Sequence, residues 1–161
     1  MAQIKVGDTL PDATFTTMTA EGPSPRTTKE AFGNKKVALF AVPGAFTPTC
    51  HRNHLPSFLQ NADALRAKGV DAIACTSVND VFVMDSWGKD QNVGQDVAML
   101  ADGNGTFAAD IGLELDGSKF GMGKRSQRYS MIVNDGKVEA LNVEQGGEFR
   151  VSAADYMLEQ L

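Results

Sequence analysis

Cys50 and Cys75 are the two cysteines of the chain, and a thiol is one of few side chains able to act as a nucleophile near neutral pH. Only the thiolate attacks, so the groups around each sulfur decide its chemistry. Cys50 follows a proline-bounded loop, Pro43 to Pro48, and stands where a helix should begin. A helix start offers unpaired N–H groups and the positive end of the backbone dipole, and both favour a thiolate. From position alone an inert buried cysteine is an equal alternative. Cys75 lies in the apolar run Val70 to Val78 and reads as a core residue, packed as a small hydrophobe. His54, four residues beyond Cys50, shares its helical face and could tune the thiolate or pack behind it. His51 points elsewhere, as a structural or exposed residue.

The elements that must carry these residues are legible as patterns. Val37 to Val42 is a continuous apolar run, expected of a strand buried on both faces. Leu55, Phe58, Leu59, Ala62 and Leu65 recur at helical spacing, with Pro56 marking a kink or a change of helix and Gly69 the end. Val70 to Val78 is the next strand, so the middle of the chain is a βαβ unit. Asp80 caps a helix to about Asp90, a short strand follows near Val97–Leu100, then a short helix near Thr106–Ile111. Arg128–Val133 and Lys137–Val143 flank Asn134-Asp135-Gly136 and read as a β-hairpin. Ser152 with Asp155 opens a terminal helix. Upstream, Thr27 and Glu30 form a capping box for a helix ending near Gly33, and Gly22 to Pro25 reads as a loop because its prolines block helix and central strand.

That order, βαβ, an α/β insertion, then ββα, is the order of a thioredoxin-like α/β fold with an insertion: a central mixed sheet flanked by helices. The 161 residues have the length of one ordinary domain. A net charge of −5 makes nucleic acid or an anionic membrane an unsuitable main partner. No apolar segment approaches the ~20 residues needed to cross a bilayer, and the N-terminal residues carry no secretory pattern. The expected location is the reducing cytoplasm, where two cysteines are reactive or buried rather than a structural staple.

The segment Pro43-Gly44-Ala45-Phe46-Thr47-Pro48-Thr49-Cys50 matches the Pro-x-x-x-Thr-x-x-Cys motif of peroxiredoxins. Its continuation through Pro56, together with Ala74 to Asp80, Trp87-Gly88, Arg128 to Met131 and Ala140 to Glu144, resembles the type II, or peroxiredoxin-five-like, branch. The resemblance implies a thiol peroxidase without a cofactor or metal, in which the Cys50 thiolate reduces hydrogen peroxide or an organic hydroperoxide and becomes a sulfenic acid. Attack on a peroxide builds charge on the leaving oxygen, so the site needs donors aimed there. The Thr47 hydroxyl can accept from the peroxide and donate toward the thiolate, and the Cys50 N–H adds a donor. Pro43 would shield the sulfur from water. The resemblance brings Arg128 to the sulfur as a permanent cation, and leaves Arg125 as a solvated surface residue.

Some type II members carry a cysteine at the place of Cys75, and others a resolving cysteine near the C-terminus, where Glu148 to Ala153 here has none. The resemblance therefore points to an outside resolving thiol, glutathione with glutaredoxin or thioredoxin. It also implies a homodimer packed near the active-site loops. Phe46 and Phe120 read either as an apolar collar around the site or as core packing. Gly103 to Ala108 fits a loosened dinucleotide-loop pattern, but reads as a turn before a short helix. Three rival functions draw on the same residues. A peroxide-sensing relay would use the same sulfenic chemistry. A metal-binding module would need Cys50, His51, His54 and Cys75 to converge. A dithiol oxidoreductase wants Cys-x-x-Cys, and Thr47 stands where the first cysteine would be.

Overall fold

In the computed structural model, which describes residues 2–161, the first two strands are β1 (Thr14–Thr19) and β2 (Gly22–Thr27), paired antiparallel. The segment expected as a loop at Gly22 to Pro25 is thus a strand, and the reason is its position at the edge of the sheet. Pro23 and Pro25 are two residues apart, so both turn their missing N–H outward while Gly22, Ser24 and Arg26 can face β1. Helix α1 (Thr28–Phe32) follows, opened by the expected capping box: Thr27 Oγ1 accepts from the Glu30 N–H, and the Glu30 carboxylate accepts from the Thr27 N–H.

The central unit is β3 (Lys36–Ala41), a π-helical turn over Cys50–His54, helices α2 (Leu55–Gln60) and α3 (Ala62–Ala67), and β4 (Ala72–Ser77). Next come α4 (Val81–Asp90), β5 (Ala98–Ala101) and α5 (Thr106–Asp110). A two-stranded insertion, β6 (Glu114–Asp116) and β7 (Lys124–Ser126), precedes the hairpin β8 (Tyr129–Asn134) and β9 (Lys137–Val143), and α6 (Ala154–Leu158) ends the chain. Asp135 and Gly136 both have positive φ, 50° and 79°, as a two-residue turn of the hairpin type demands.

Among the described residues the main sheet has the order β2-β1-β5-β4-β3-β8-β9. It is mixed: β3, β4 and β5 run parallel, and the outer pairs are antiparallel. Alternation along β3 divides the core in two. Ala38, Phe40 and Val42 face α2, α3, α4 and α6, while Val37, Leu39 and Ala41 face α1 and α5. Cys50 and Cys75 both belong to the first face.

Asp80 Oδ1 accepts from the Val83 N–H, as expected for the start of α4. The terminal helix is different: its first flanking residue is Ala153, with no side-chain cap, and the Ser152 hydroxyl instead donates to Glu144 at 2.6 Å. A buried carboxylate outcompetes a backbone N–H for that hydroxyl, because charge-assisted bonds are the stronger ones.

Candidate active site

The loop after β3 turns sharply to bring Thr47 back toward Cys50. Thr47 N–H donates to the Gly44 carbonyl at 3.3 Å, and Ala45 N–H donates to Asn79 Oδ1 at 3.0 Å. The Ser77 hydroxyl donates to the same Asn79 oxygen at 2.6 Å, so the end of β4 braces the loop. Gly44 is tightly packed: a Cβ there would stand 3.1 Å from Thr47 Cγ2 and 3.3 Å from Met122 Cε, so either neighbour would have to give by a few tenths of an ångström. Phe46 holds a left-handed backbone, φ 65°, which a non-glycine residue adopts at some cost. Pro43 is half-buried and opens this loop.

Cys50 begins the π-helical turn and is fully buried. Leu55 N–H closes that turn on the Cys50 carbonyl, one residue longer than an α-helical bond. Pro56, at the start of α2, has no N–H to give, so the ladder changes register there. Two donors surround the sulfur. Thr47 Oγ1 lies 2.8 Å from Cys50 Sγ, and Arg128 Nη2 donates to Sγ at 3.0 Å. Thr47 Oγ1 is also 2.7 Å from the Gly44 carbonyl. Its single proton can serve the sulfur or that carbonyl, and in the second case a lone pair faces the sulfur, free to accept from a substrate O–H.

Arg128, immediately before β8, is held on its other side by His54. Arg128 Nη1 is 3.0 Å from His54 Nδ1, and His54 Nε2 is 2.9 Å from the Ser152 carbonyl. A carbonyl can only accept, so Nε2 carries the proton and Nδ1 accepts from the arginine. Burial, then the Arg128 charge, pushes the His54 pKa down to about 3, against the bond to Ser152. Neutral His54 is thus a fixed acceptor for Arg128, packed among Phe40, Phe58 and Phe149 with ring centroids 4.9, 5.8 and 5.1 Å away.

Cys75 is fully buried in β4, between Phe40 of β3 and Met99 of β5. Burial and the neighbouring Cys50 charge push its thiol pKa well up, with Arg128 opposing. Neither phenylalanine is core: Phe46 is 47% exposed and Phe120, in a short 3-10 turn (Ser118–Phe120), is 82% exposed. Phe46 stacks on His51 at 5.8 Å and approaches Trp87 at 6.3 Å. His51 is bonded to α4: its Nδ1 accepts from the Trp87 indole at 3.1 Å. Arg125 is not a solvated residue. It is half-buried, donating from Nε to the Met122 carbonyl and from Nη1 to the Val78 carbonyl, because both carbonyls lie in loops outside the strands. Among the described residues no three His, Cys, Asp or Glu side chains converge as a metal site would need. At Gly103 to Ala108, Asp102 fills the place a ligand would take, accepting from the N–H groups of Phe107 and Ala108 at 3.0 Å each.

A cysteine at the head of the helical segment joining two central parallel strands, in a mixed sheet flanked by helices, defines a thioredoxin-like fold of the peroxiredoxin class. Residues 5–158 match the Redoxin family. The chain is 46% identical over 162 residues to Peroxiredoxin-2B of Arabidopsis thaliana, with 100% of both chains aligned. It is 47% identical to the chloroplastic Peroxiredoxin-2E of the same plant, over 99% of this chain and 70% of that one. The crystal structure of reduced Prx3 from Vibrio vulnificus in complex with hydrogen peroxide matches it with a TM-score of 0.94 at 51% identity, covering 98% of this chain and 99% of the other. The chain belongs to the peroxiredoxins, on their type II branch, and is a thiol peroxidase.

Proposed function

We propose that the chain reduces hydrogen peroxide and organic hydroperoxides through Cys50, and that an external thiol completes the cycle. The observation that carries this is the placement of one buried sulfur between the Thr47 hydroxyl and the Arg128 guanidinium, at 2.8 and 3.0 Å. The Cys50 thiolate attacks one oxygen of the peroxide, and the S–O bond forms as the O–O bond breaks. The attacked oxygen keeps its hydrogen and becomes the sulfenic hydroxyl. The other oxygen leaves with the electron pair and takes a proton from water. Arg128 N–H groups and the Cys50 N–H stabilise that developing charge, Thr47 accepts from the substrate O–H, and Pro43 limits water at the sulfur.

A thiol of glutathione with glutaredoxin, or of thioredoxin, then attacks the sulfenic sulfur and expels water. A second thiol attacks the mixed disulfide, regenerates Cys50 and leaves the reductant oxidised. The burial of Cys75 in a strand paired on both sides supports an external resolver. Access requires the turn Cys50–His54 to open, since the sulfur is itself buried. A reducing compartment, the cytoplasm by expectation, would supply the thiol. A homodimer through the loops around the site is supported by exposed Phe46 and Phe120. Peroxide turnover should vanish in Cys50→Ser; retention of full activity there would sink the assignment. Mass spectrometry of the oxidised protein against a reductant panel should find sulfenate or a glutathione adduct on Cys50 and no Cys50–Cys75 disulfide.

A further inference from the structure

We propose that Glu144 is a positioning residue for Cys50, acting through Ser152, His54 and Arg128. Glu144 ends the hairpin just beyond β9 and is buried. One oxygen, Oε2, takes four donors: the N–H groups of Arg150, Val151 and Ser152 at 2.8, 2.9 and 2.8 Å, and the Ser152 hydroxyl at 2.6 Å. That carboxylate therefore folds residues 150–152 around itself and fixes where the Ser152 carbonyl points. The same residue's N–H donates to the Arg128 carbonyl at 3.0 Å. Glu144 thus ties both ends of a closed path, with the Arg128 backbone at one end and the carbonyl that orients His54 at the other.

The path matters because an arginine side chain is long and has many rotamers. A guanidinium bonded only to the sulfur could swing; bonded also to His54 Nδ1, it has one plane. His54 can accept there only while its proton is on Nε2, and the Ser152 carbonyl holds it on Nε2. Remove the carboxylate and three backbone N–H groups lose their acceptor. Residues 150–152 then relax, and the acceptor for His54 goes with them. The Arg150 side chain takes no part, since its guanidinium pairs with Glu148 at the surface.

The inference rests on Cys50 being the attacking sulfur, so Cys50→Ser is run in the same assay; activity there would fail the assignment, not the path. The readouts are the rate constant with hydrogen peroxide and the pH profile of iodoacetamide alkylation at Cys50. Glu144→Ala should slow peroxide reduction about tenfold and move the alkylation profile toward higher pH. Glu144→Gln keeps an oxygen acceptor and should recover most of that loss. His54→Leu should match Glu144→Ala, and the double variant should be no slower than either single within about twofold, as one path predicts. A folded Glu144→Ala with an unchanged rate and profile would overturn the proposal, as would a Glu144→Gln as slow as Glu144→Ala, or losses that multiply in the double variant. Should Glu144→Ala not fold, Glu144→Asp retracts the carboxylate by one methylene and must show the same slowing and the same shift; wild-type behaviour there overturns the proposal equally.

Discussion

Cys50 and Cys75 are equally buried, share one face of the sheet, and could hardly differ more in what touches their sulfurs. Cys75 sits in a strand whose backbone groups are spent on both neighbours, with Phe40 and Met99 across the ladder. Burial dominates its titration and holds it as a thiol. Cys50 sits where the chain leaves a loop for a helical turn, with a hydroxyl and a guanidinium within 3.0 Å. Depth alone therefore does not distinguish the two sulfurs. The donors within reach do, and the junction between loop and helical turn leaves room for them at Cys50.

The sharpest way to break that contrast is to remove the cation. Arg128→Gln should lower the rate constant for peroxide by about a hundredfold, since it strips a charged donor from the leaving oxygen. It should also shift Cys50 alkylation toward higher pH; an unchanged rate at neutral pH would take Arg128 out of the site. Thr47→Val removes the hydroxyl that accepts from the substrate and keeps the shape, and a loss of ten- to about thirtyfold in the same assay is expected. The contrast can also be sharpened through stability. The unfolded chain protonates His54 near 6.5, whereas burial holds the folded group neutral to about pH 3. Between those values the unfolded state binds more protons, so this contribution is fully present above pH 6.5 and is lost as pH falls toward 3. On the order of 5 kcal/mol is at stake over the whole window. Urea unfolding at pH 7, 5.5 and 4 should show that slope, and His54→Asn should flatten it. The smallest effect belongs to Cys75→Ser, which should leave turnover with glutathione and glutaredoxin within about twofold while costing about 1–3 kcal/mol of stability for a buried hydroxyl. Arrest of that variant at the sulfenic acid would make Cys75 the resolver and dissolve the distinction.

What could be read from sequence was whatever is decided locally. The apolar run of β3, the Asp-Gly turn, the capping box at Thr27 and the Asp80 cap all depend on residues a few positions apart, and all stand in the fold. Pro56 announced a change of helix, yet the widened turn before it depends on which carbonyl Leu55 finds, and no spacing rule encodes that. The prolines of β2 misled because their effect depends on whether a strand is central or at an edge, a property of the assembled sheet. Arg125 gives no local sign of its half-burial, because its acceptors, the Met122 and Val78 carbonyls, lie in loops, one of them 47 residues away. In the sequence, Glu144 is only the last residue of the Ala140–Glu144 string. Its importance runs through Ser152 to His54, 98 residues apart in the chain, and no periodicity carries such a contact.

The prolines of β2 have one more effect. An edge strand is normally a template onto which another chain can add, and Pro23 and Pro25 leave this one without a continuous row of outward N–H groups. At the opposite edge, the start of β9 is occupied by the chain's own Gly7–Asp8 and Leu10 backbone, bonded to Val138 and Gly136. Growth of the sheet from copy to copy is obstructed at one border and partly filled at the other. Fibre-like addition of strands from other copies is thereby disfavoured.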